Sequence, residues 1–596
     1  MSSSNKALQY WLSLDFYKAT RDEASSFSEE DIAEHLNPEK RLVFGTAGLR
    51  SRMGAGFDRM NCLTVMQASQ GLCRYLEGQF GKEALAERGV VFGFDGRYNS
   101  RRFAHVAAAV FLSQGAKVYL YDKATTCTPF NPYLVKKYNC CAGAQVTASH
   151  NPKMDNGYKV YAANGAQIIP PMDSEISDSI AKNLVPWKEA LELLDVDGEC
   201  YLKDASKIID PYDDVLMTYL DQMYHELCRF PEENKKCTLK FAYTAMHGVG
   251  LPFTTGLLKR FNIPEECVKV FEPQAHPDPE FPTVPFPNPE EKGALNLCLA
   301  FAKENNCDYV IANDPDSDRF TACEKQKNGE WHQFSGDELG TIFGDFSILM
   351  ALRSGVPAEK CLVLNSTVSS KMLAAVAKYY GCRYTDTLTG FKWLANTSLK
   401  MIEENPELVH CLAYEEAIGY ALTMAVPDKD GVTAASVWAE MANYWRREKG
   451  ITLYERLEEL RQTVGYFANN NGYFLCYDLK VMKQIFDDFR NNGAYAKTLG
   501  SSTIAGIRDV TLGYDSRMDD KKSVLPTTPD QQMITLYFDN NAVVTLRGSG
   551  TEPKLKYYCE MSDRESEEKA AANLDVVVND VINNFLQPEK NGLERR

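Results

Sequence analysis

Hydrophobic positions along the chain switch repeatedly between strand and helix periods, and the switching lays out a series of α/β units. Val90-Val-Phe-Gly-Phe-Asp95 opens with a continuous apolar run of strand length. Residues 100–114 carry an apolar stripe at helical spacing, and Ala116-Lys-Val-Tyr-Leu-Tyr121 returns to strand. Strand, helix and strand in that order predict a parallel pair joined by a right-handed crossover. Cys141-Ala-Gly-Ala-Gln-Val146 continues the alternation as a buried strand. The pattern restarts at 239–250, where a strand runs into a glycine loop and a helix, and Asp308-Tyr-Val-Ile-Ala312 adds another buried strand. A third unit opens at Ser335, which with Glu338 matches a capping box. It holds strands at 361–364 and 411–414 and a helix through 371–380.

Other stretches differ in character. Residues 1–40 are polar at helical spacing and predict an N-terminal helical extension; 172–236 is polar, acidic and helical. The segment 276–289 is too rich in proline for a helix or a central strand, so it is an ordered extended loop or a linker. From about 465 the strands shorten (473–477, 533–538, 542–546), and a closing helix puts Leu574, Val577, Val578, Val581 and Phe585 on one face. The fold class expected is α/β: three similar mixed-sheet domains and a smaller C-terminal α+β domain. Boundaries fall at 1–40 for the extension, then 41–215, 216–335, 336–463 and 464–596.

Composition narrows the function. The 596 residues carry a formal net charge of −16, which argues against nucleic acid as a partner, since phosphate backbones need a basic face. Binding a phosphorylated small molecule then requires cations gathered locally. The 17 cysteines are scattered singly apart from Cys140-Cys141, as expected of reduced residues in a cytoplasmic protein. Neither a signal-peptide core nor a membrane-spanning run is present, so no membrane partner is expected.

Several loops carry chemistry. Thr147-Ala-Ser149-His150-Asn-Pro152 follows a buried strand, and the proline stops regular pairing, leaving Ser149 on a tight loop at a strand end. An ordinary turn would look the same in isolation. Phe44-Gly-Thr-Ala-Gly-Leu-Arg50 lets backbone amides approach a ligand, and Arg50 could fork onto an oxyanion; a glycine turn with a surface arginine is the alternative. Asp314, Asp316 and Asp318 alternate at a strand end and can turn to one point. Unit charges about 4 Å apart repel by about 4 kcal/mol at an effective dielectric near 20, so the trio calls for a cation. Hard oxygen donors, few in number, suit Mg²⁺; a solvated acidic turn is the alternative. A calcium loop is excluded because Arg319 replaces the required glycine and Lys325 the bidentate glutamate.

Arg547-Gly-Ser549-Gly550-Thr551 joins a cation, hydroxyls and a flexible backbone, the makings of a phosphate nest. Glu415 and Glu416 follow a strand and either accept sugar hydroxyls or face solvent and cap a helix. Lys429, between Asp428 and Asp430, is either a surface salt-bridge lysine or a general acid. Lys159 lies within reach of the serine loop.

Taken in order, 45–50, 147–152, 314–319, 389–390, 415–416 and 547–551 resemble the α-D-phosphohexomutase superfamily over nearly the whole chain. The stretches 155–161, 278–291 and 414–420 look most like its phosphoglucomutase-2 and phosphopentomutase branch. The resemblance implies four domains around a central cleft, with Ser149 as a phosphoserine and Asp314, Asp316 and Asp318 holding Mg²⁺ against its phosphate. His150, Lys159, Arg50 and Lys429 would handle proton transfer and charge, and Arg319 would lie beside the metal. Thr389, Gly390, Glu415 and Glu416 would meet the sugar, while Arg547, Ser549, Gly550 and Thr551 would grip the phosphate not reacting.

Two departures bear on substrate. Hexose-specific phosphoglucomutases carry a serine where this chain has Ala417, and many members have arginine where this chain has Lys556. The expected activity is a phosphosugar mutase acting on ribose or deoxyribose phosphates (C1/C5), with some C1/C6 activity on glucose phosphates and a sugar bisphosphate of the glucose 1,6-bisphosphate type as activator. The alternatives are glucose-1,6-bisphosphate synthesis from 1,3-bisphosphoglycerate and a non-catalytic phosphosugar-binding protein. A monomer or weak oligomer is expected.

Overall fold

Val90–Phe94 and Ala142–Val146 are buried at every position, as strands covered on both faces must be. They pair in parallel, and Val118–Leu120 extends the parallel part on one side. On the other side Asp155–Ala162 and then Leu49–Arg52 join antiparallel, giving a five-stranded mixed sheet. The second segment repeats this topology: Val268–Val270, Phe241–Thr244 and Tyr309–Asn313 are parallel, and Phe320–Lys325 and Trp331–Gln333 complete the sheet antiparallel. In the third, Cys361–Ser366 and Arg383–Thr387 pair in parallel, and Val409–Glu415 turns back antiparallel onto Gly419–Ala421. The C-terminal part is an antiparallel sheet of short and long strands backed by the helices Leu479–Arg490 and Glu567–Asp580.

This computed structural model describes residues 3–45, 48–529, 531–548 and 553–595. They fall into two compact units, Met1–Leu339 with Phe391–Tyr454, and Gly340–Gly390 with Glu455–Arg596. The segment expected as one domain, 336–463, thus contributes to both units. The expected boundary at 215/216 falls inside the continuous helix Tyr212–Leu227. The closing helix is also modified: the α-helix ends at Asp580, and Val581–Leu586 forms a π-helical turn that still buries Val581 and Phe585.

In the first unit, helices Cys62–Phe80 and Ser100–Ser113 supply the main core against the sheet. The N-terminal extension forms three helices, Ser3–Leu14, Lys18–Ser25 and Glu29–His35. It docks through Trp11, whose ring meets Phe57 edge-on at 4.9 Å. Just past the first helix, Asp15 is 3% exposed, and burial pushes its carboxyl up to about 6 against hydrogen bonds from Thr20 and Tyr17. A carboxyl that titrates higher in the folded chain keeps its proton preferentially there. Its cost is therefore absent below the unfolded value near pH 4 and grows as pH rises to about 6, reaching about 2–3 kcal/mol. Asp15→Asn is expected to raise the melting temperature at pH 7.5, with the gain shrinking at pH 4.5. Calorimetry at both pH values checks this, and an equal shift at the two would contradict it.

Candidate active site

The first two sheets present equivalent loops. Each leaves the C-terminal end of the middle strand, where open α/β sheets bind ligands: 147–152 after Ala142–Val146, and 314–319 after Tyr309–Asn313. Ser149 is almost fully buried and has φ +54°, a left-handed conformation that few residues other than glycine adopt readily. Its backbone N–H donates to Thr147 Oγ1 at 2.9 Å. Its Oγ donates to Asp314 Oδ2 at 2.7 Å and lies 3.3 Å from His150 Nδ1.

Asp314, Asp316 and Asp318 are buried, with one oxygen from each within 4.8 Å of the others. Asp314 Oδ1 accepts the Arg319 backbone N–H at 3.0 Å. Asp316 Oδ2 accepts from Thr128 Oγ1 and Lys159 Nζ, each at 2.6 Å, and Lys159 also reaches Asp318 Oδ2 at 2.8 Å. Asp316 Oδ1 and Asp318 Oδ1 are buried without a hydrogen-bond partner among the described residues. Buried carboxylate oxygens normally find a partner. Three converging carboxylates with unused lone pairs therefore fit a divalent cation.

Strand alternation explains the lysine. Tyr158 and Val160 point into the core, so Lys159 and Tyr161 point to the opposite face of the sheet. There Tyr161 OH donates to Asp428 Oδ2 at 2.9 Å, as does Gln167 Nε2 at 2.8 Å. Asp428 lies 3.6 Å from Lys429 Nζ, which is also 3.4 Å from Asp318. Lys429 is thus a buried lysine and not a surface one. Gly419 makes room for it, since a Cβ there would lie 2.2 Å from Lys429 Cδ. Asp430 is engaged elsewhere, capping the helix Gly431–Lys449 and accepting the Tyr219 hydroxyl at 2.6 Å.

The charges sort by surroundings. Burial and the charges of Asp316 and Asp318 push Asp314 well up. Burial also opposes ionisation of Asp316, but Lys159 and Thr128 outweigh it and hold that carboxyl low. Burial would lower Lys429, yet Asp318, Asp428 and Glu415 keep it above the usual lysine range. His150 is driven down to about 2 by burial and by the cations Arg319 and Arg50, so its imidazole is neutral at physiological pH. Glu415 ends a strand opposite Gly419, and the half-buried Glu416 lies in a turn rather than at a helix N-terminus.

Arg50 stands on the strand Leu49–Arg52 opposite Gly157; it stays in contact with solvent, yet desolvation by the protein around it lowers its guanidinium, with Asp316 and Asp318 opposing. In the second unit, Thr389 and Gly390 (φ +109°) precede the helix Phe391–Glu404. Arg547 lies on Ala542–Gly548 opposite Lys556, so both cations share a face of the sheet. Ser549, Gly550 and Thr551 lie outside the described residues.

Sequence reading missed Thr128, Asp428, Arg97 and Glu290. The first two lack any local signature, because their partners are 188 positions away in one case and 261 and 267 in the other. Arg97 follows a strand in Asp-Gly-Arg, the only cue, and donates to backbone carbonyls of the serine loop. Glu290 closes the proline-rich segment. It stays in contact with solvent, yet desolvation by the protein around it raises it to about 7, with Glu416 adding and Arg319 opposing.

A buried serine hydroxyl on a carboxylate cluster, with lysines beside it at the strand ends of a repeated α/β scaffold, is an arrangement suited to phosphoryl transfer. The chain belongs to the phosphoglucomutase/phosphomannomutase family, whose α/β/α domains I, II and III match residues 41–185, 217–329 and 335–464. It is similar to human phosphopentomutase, 42% identical over 98% of this chain and 96% of that protein. It is also similar to human glucose 1,6-bisphosphate synthase, 41% identical over 98% and 95%. Among solved structures, the open form of the Paramecium phosphoglucomutase parafusin has the same fold. Its TM-score is 0.65 at 18% identity, covering 91% of this chain and 94% of that one.

Proposed function

We propose that this protein is a phosphosugar mutase that exchanges phosphate between C1 and C5 of ribose or deoxyribose, with C1/C6 exchange on glucose phosphates alongside. The observation that carries the reading is the hydrogen bond from Ser149 Oγ to Asp314 within the buried carboxylate cluster. The pentose preference draws on the similarity to human phosphopentomutase and on Ala417, which offers no hydroxyl to a hexose.

In this reading Ser149 carries the phosphoryl group. A sugar hydroxyl attacks phosphorus, the P–Oγ bond breaks, and the proton lost by the sugar ends on Ser149 Oγ. The resulting sugar bisphosphate, of the glucose 1,6-bisphosphate type for hexoses, turns over and returns its other phosphate by the reverse step. Neutral His150, 3.3 Å from Oγ, would orient that oxygen through its ring nitrogen, and charged Lys159 and Lys429 stabilise the anionic oxygens as the proton passes from sugar to Ser149. Asp314, Asp316, Asp318 and phosphorylated Ser149 would hold Mg²⁺, which suits hard oxygen donors. When bound, that ion neutralises phosphoryl charge. Arg50 and Arg319 would add positive charge, Glu415, Glu416, Thr389 and Gly390 would meet sugar hydroxyls, and Arg547, Ser549, Gly550 and Thr551 would grip the distal phosphate. The free thiols support a reducing, cytoplasmic setting, and we assign a monomer or weak oligomer.

The test is kcat/KM for ribose 1-phosphate against glucose 1-phosphate with bisphosphate activator present. We expect conversion of both with the pentose favoured; conversion of neither overturns the reading. The similarity to the human synthase motivates a second arm with 1,3-bisphosphoglycerate as phosphate source, and bisphosphate formation outpacing mutase turnover would favour synthesis.

A further inference from the structure

Ser149 keeps its left-handed backbone inside a closed ring of hydrogen bonds and one buried ion pair. Arg97 donates to the carbonyls of Ser149 at 2.5 Å, Asn151 at 2.6 Å, Pro152 at 2.9 Å and Asp155 at 3.3 Å. Arg97 is itself 4% exposed and paired with Asp95 at 3.3 Å. Asp95 accepts from Thr147 Oγ1 at 2.6 Å, and Thr147 accepts the Ser149 amide, which closes the ring. A guanidinium suits this position because its planar fork serves several acceptors in fixed directions.

The guanidinium is covered by the aromatic ring of Phe281, 5.0 Å from its centroid. Phe281 is buried, and its φ is +47°, a conformation that costs a bulky side chain free energy and persists only where the surroundings impose it. The surroundings are the proline-rich segment, which proves to be an ordered strap laid across the serine loop. Glu280 accepts from Tyr98 and, at 2.7 Å, from Lys153. Pro277 packs on Gly96, where a Cβ would come within 2.6 Å of it. Thr283 pairs with His247 at 2.7 Å, and Phe286 meets the His150 ring edge-on at 6.0 Å.

We propose that Arg97 and Phe281 form a clamp through which the proline-rich strap positions Ser149 for phosphoryl exchange. Both are positioning residues: neither touches the transferred group, and each acts through the backbone of the loop that carries it. The inference rests on Ser149 being the phosphoryl carrier. A loosened clamp leaves the phosphoserine formed but poorly aimed, so kcat falls more than KM rises, and water competes better with the sugar hydroxyl for phosphorus.

The test uses the full chain as wild type, Phe281→Leu, Arg97→Lys and Arg97→Met. Ser149 is loaded from labelled glucose 1,6-bisphosphate, and kcat, KM and the ratio of transfer to hydrolysis are measured. Misplacement by about 1 Å can cost about 10²-fold in rate, and that is the loss in kcat expected for Arg97→Met. Arg97→Lys should recover part of it. Phe281→Leu, which leaves Arg97 and Asp95 paired, should lose about tenfold with KM within about twofold, by the same reasoning. The transfer-to-hydrolysis ratio should fall in the same order. If Arg97→Met does not fold, the other two variants decide. Wild-type kcat and partition ratio in Phe281→Leu and Arg97→Lys would overturn the clamp alone, whereas wild-type protein without phosphoserine or turnover would overturn the carrier reading and the clamp with it.

Discussion

Ser149→Ala is expected to abolish mutase turnover, by about 10⁴-fold or more, while the fold stays intact. The change deletes a single hydroxyl from a nearly buried position, leaving the loop carbonyls on Arg97 and the Thr147 contact unchanged. No other described hydroxyl bonds to Asp314, so nothing can take over the phosphoryl group at the same point. The check is turnover together with labelling by the sugar bisphosphate, and circular dichroism for the fold. Retained mutase activity would sink the carrier role. Bound but unconverted sugar phosphate is the expected residual property.

Asp314→Asn should separate activity from stability. The Asp314 carboxylate accepts Ser149 Oγ through one oxygen and the Arg319 amide through the other, in a cluster where three buried carboxylates converge. Losing one charged donor weakens both the cation site and charge stabilisation at phosphorus, and a loss of about 10³-fold in kcat is expected. In chelator, burial and the charges of Asp316 and Asp318 push the Asp314 carboxyl well up, so a neutral amide in its place removes the cost of charging that site against one weakened hydrogen bond. The melting temperature of the metal-free variant should therefore equal or exceed that of wild type. Activity assays with Mg²⁺ restored after chelation, and melting curves without it, test the two halves. A variant that melts lower and works normally would contradict both.

Proline density in 276–289 excluded helix and central strand but left open whether the segment was linker or ordered loop. The difference lay in partners up to 182 positions away, such as Tyr98 for Glu280. Lys429 shows the same limit. Its neighbours Asp428 and Asp430 left a surface salt bridge or a general acid open; the lysine is buried between Asp318 and Asp428, while Asp430 is taken by Tyr219. The boundary expected at 215/216 lies inside a polar helix that runs on through a change in composition, one residue from where the matched second domain begins.

What this chain determined through its order alone is the repeated α/β plan, the strand-end placement of the Ser149 and Asp314 loops and the residue types they offer, because periodicity and loop chemistry are local. Which cations neutralise the carboxylates, which arginine holds the Ser149 loop and which lysine is buried were settled only by tertiary packing. Those properties depend on side chains from several sheets and loops meeting in a desolvated space, and no stretch of sequence records its distant neighbours.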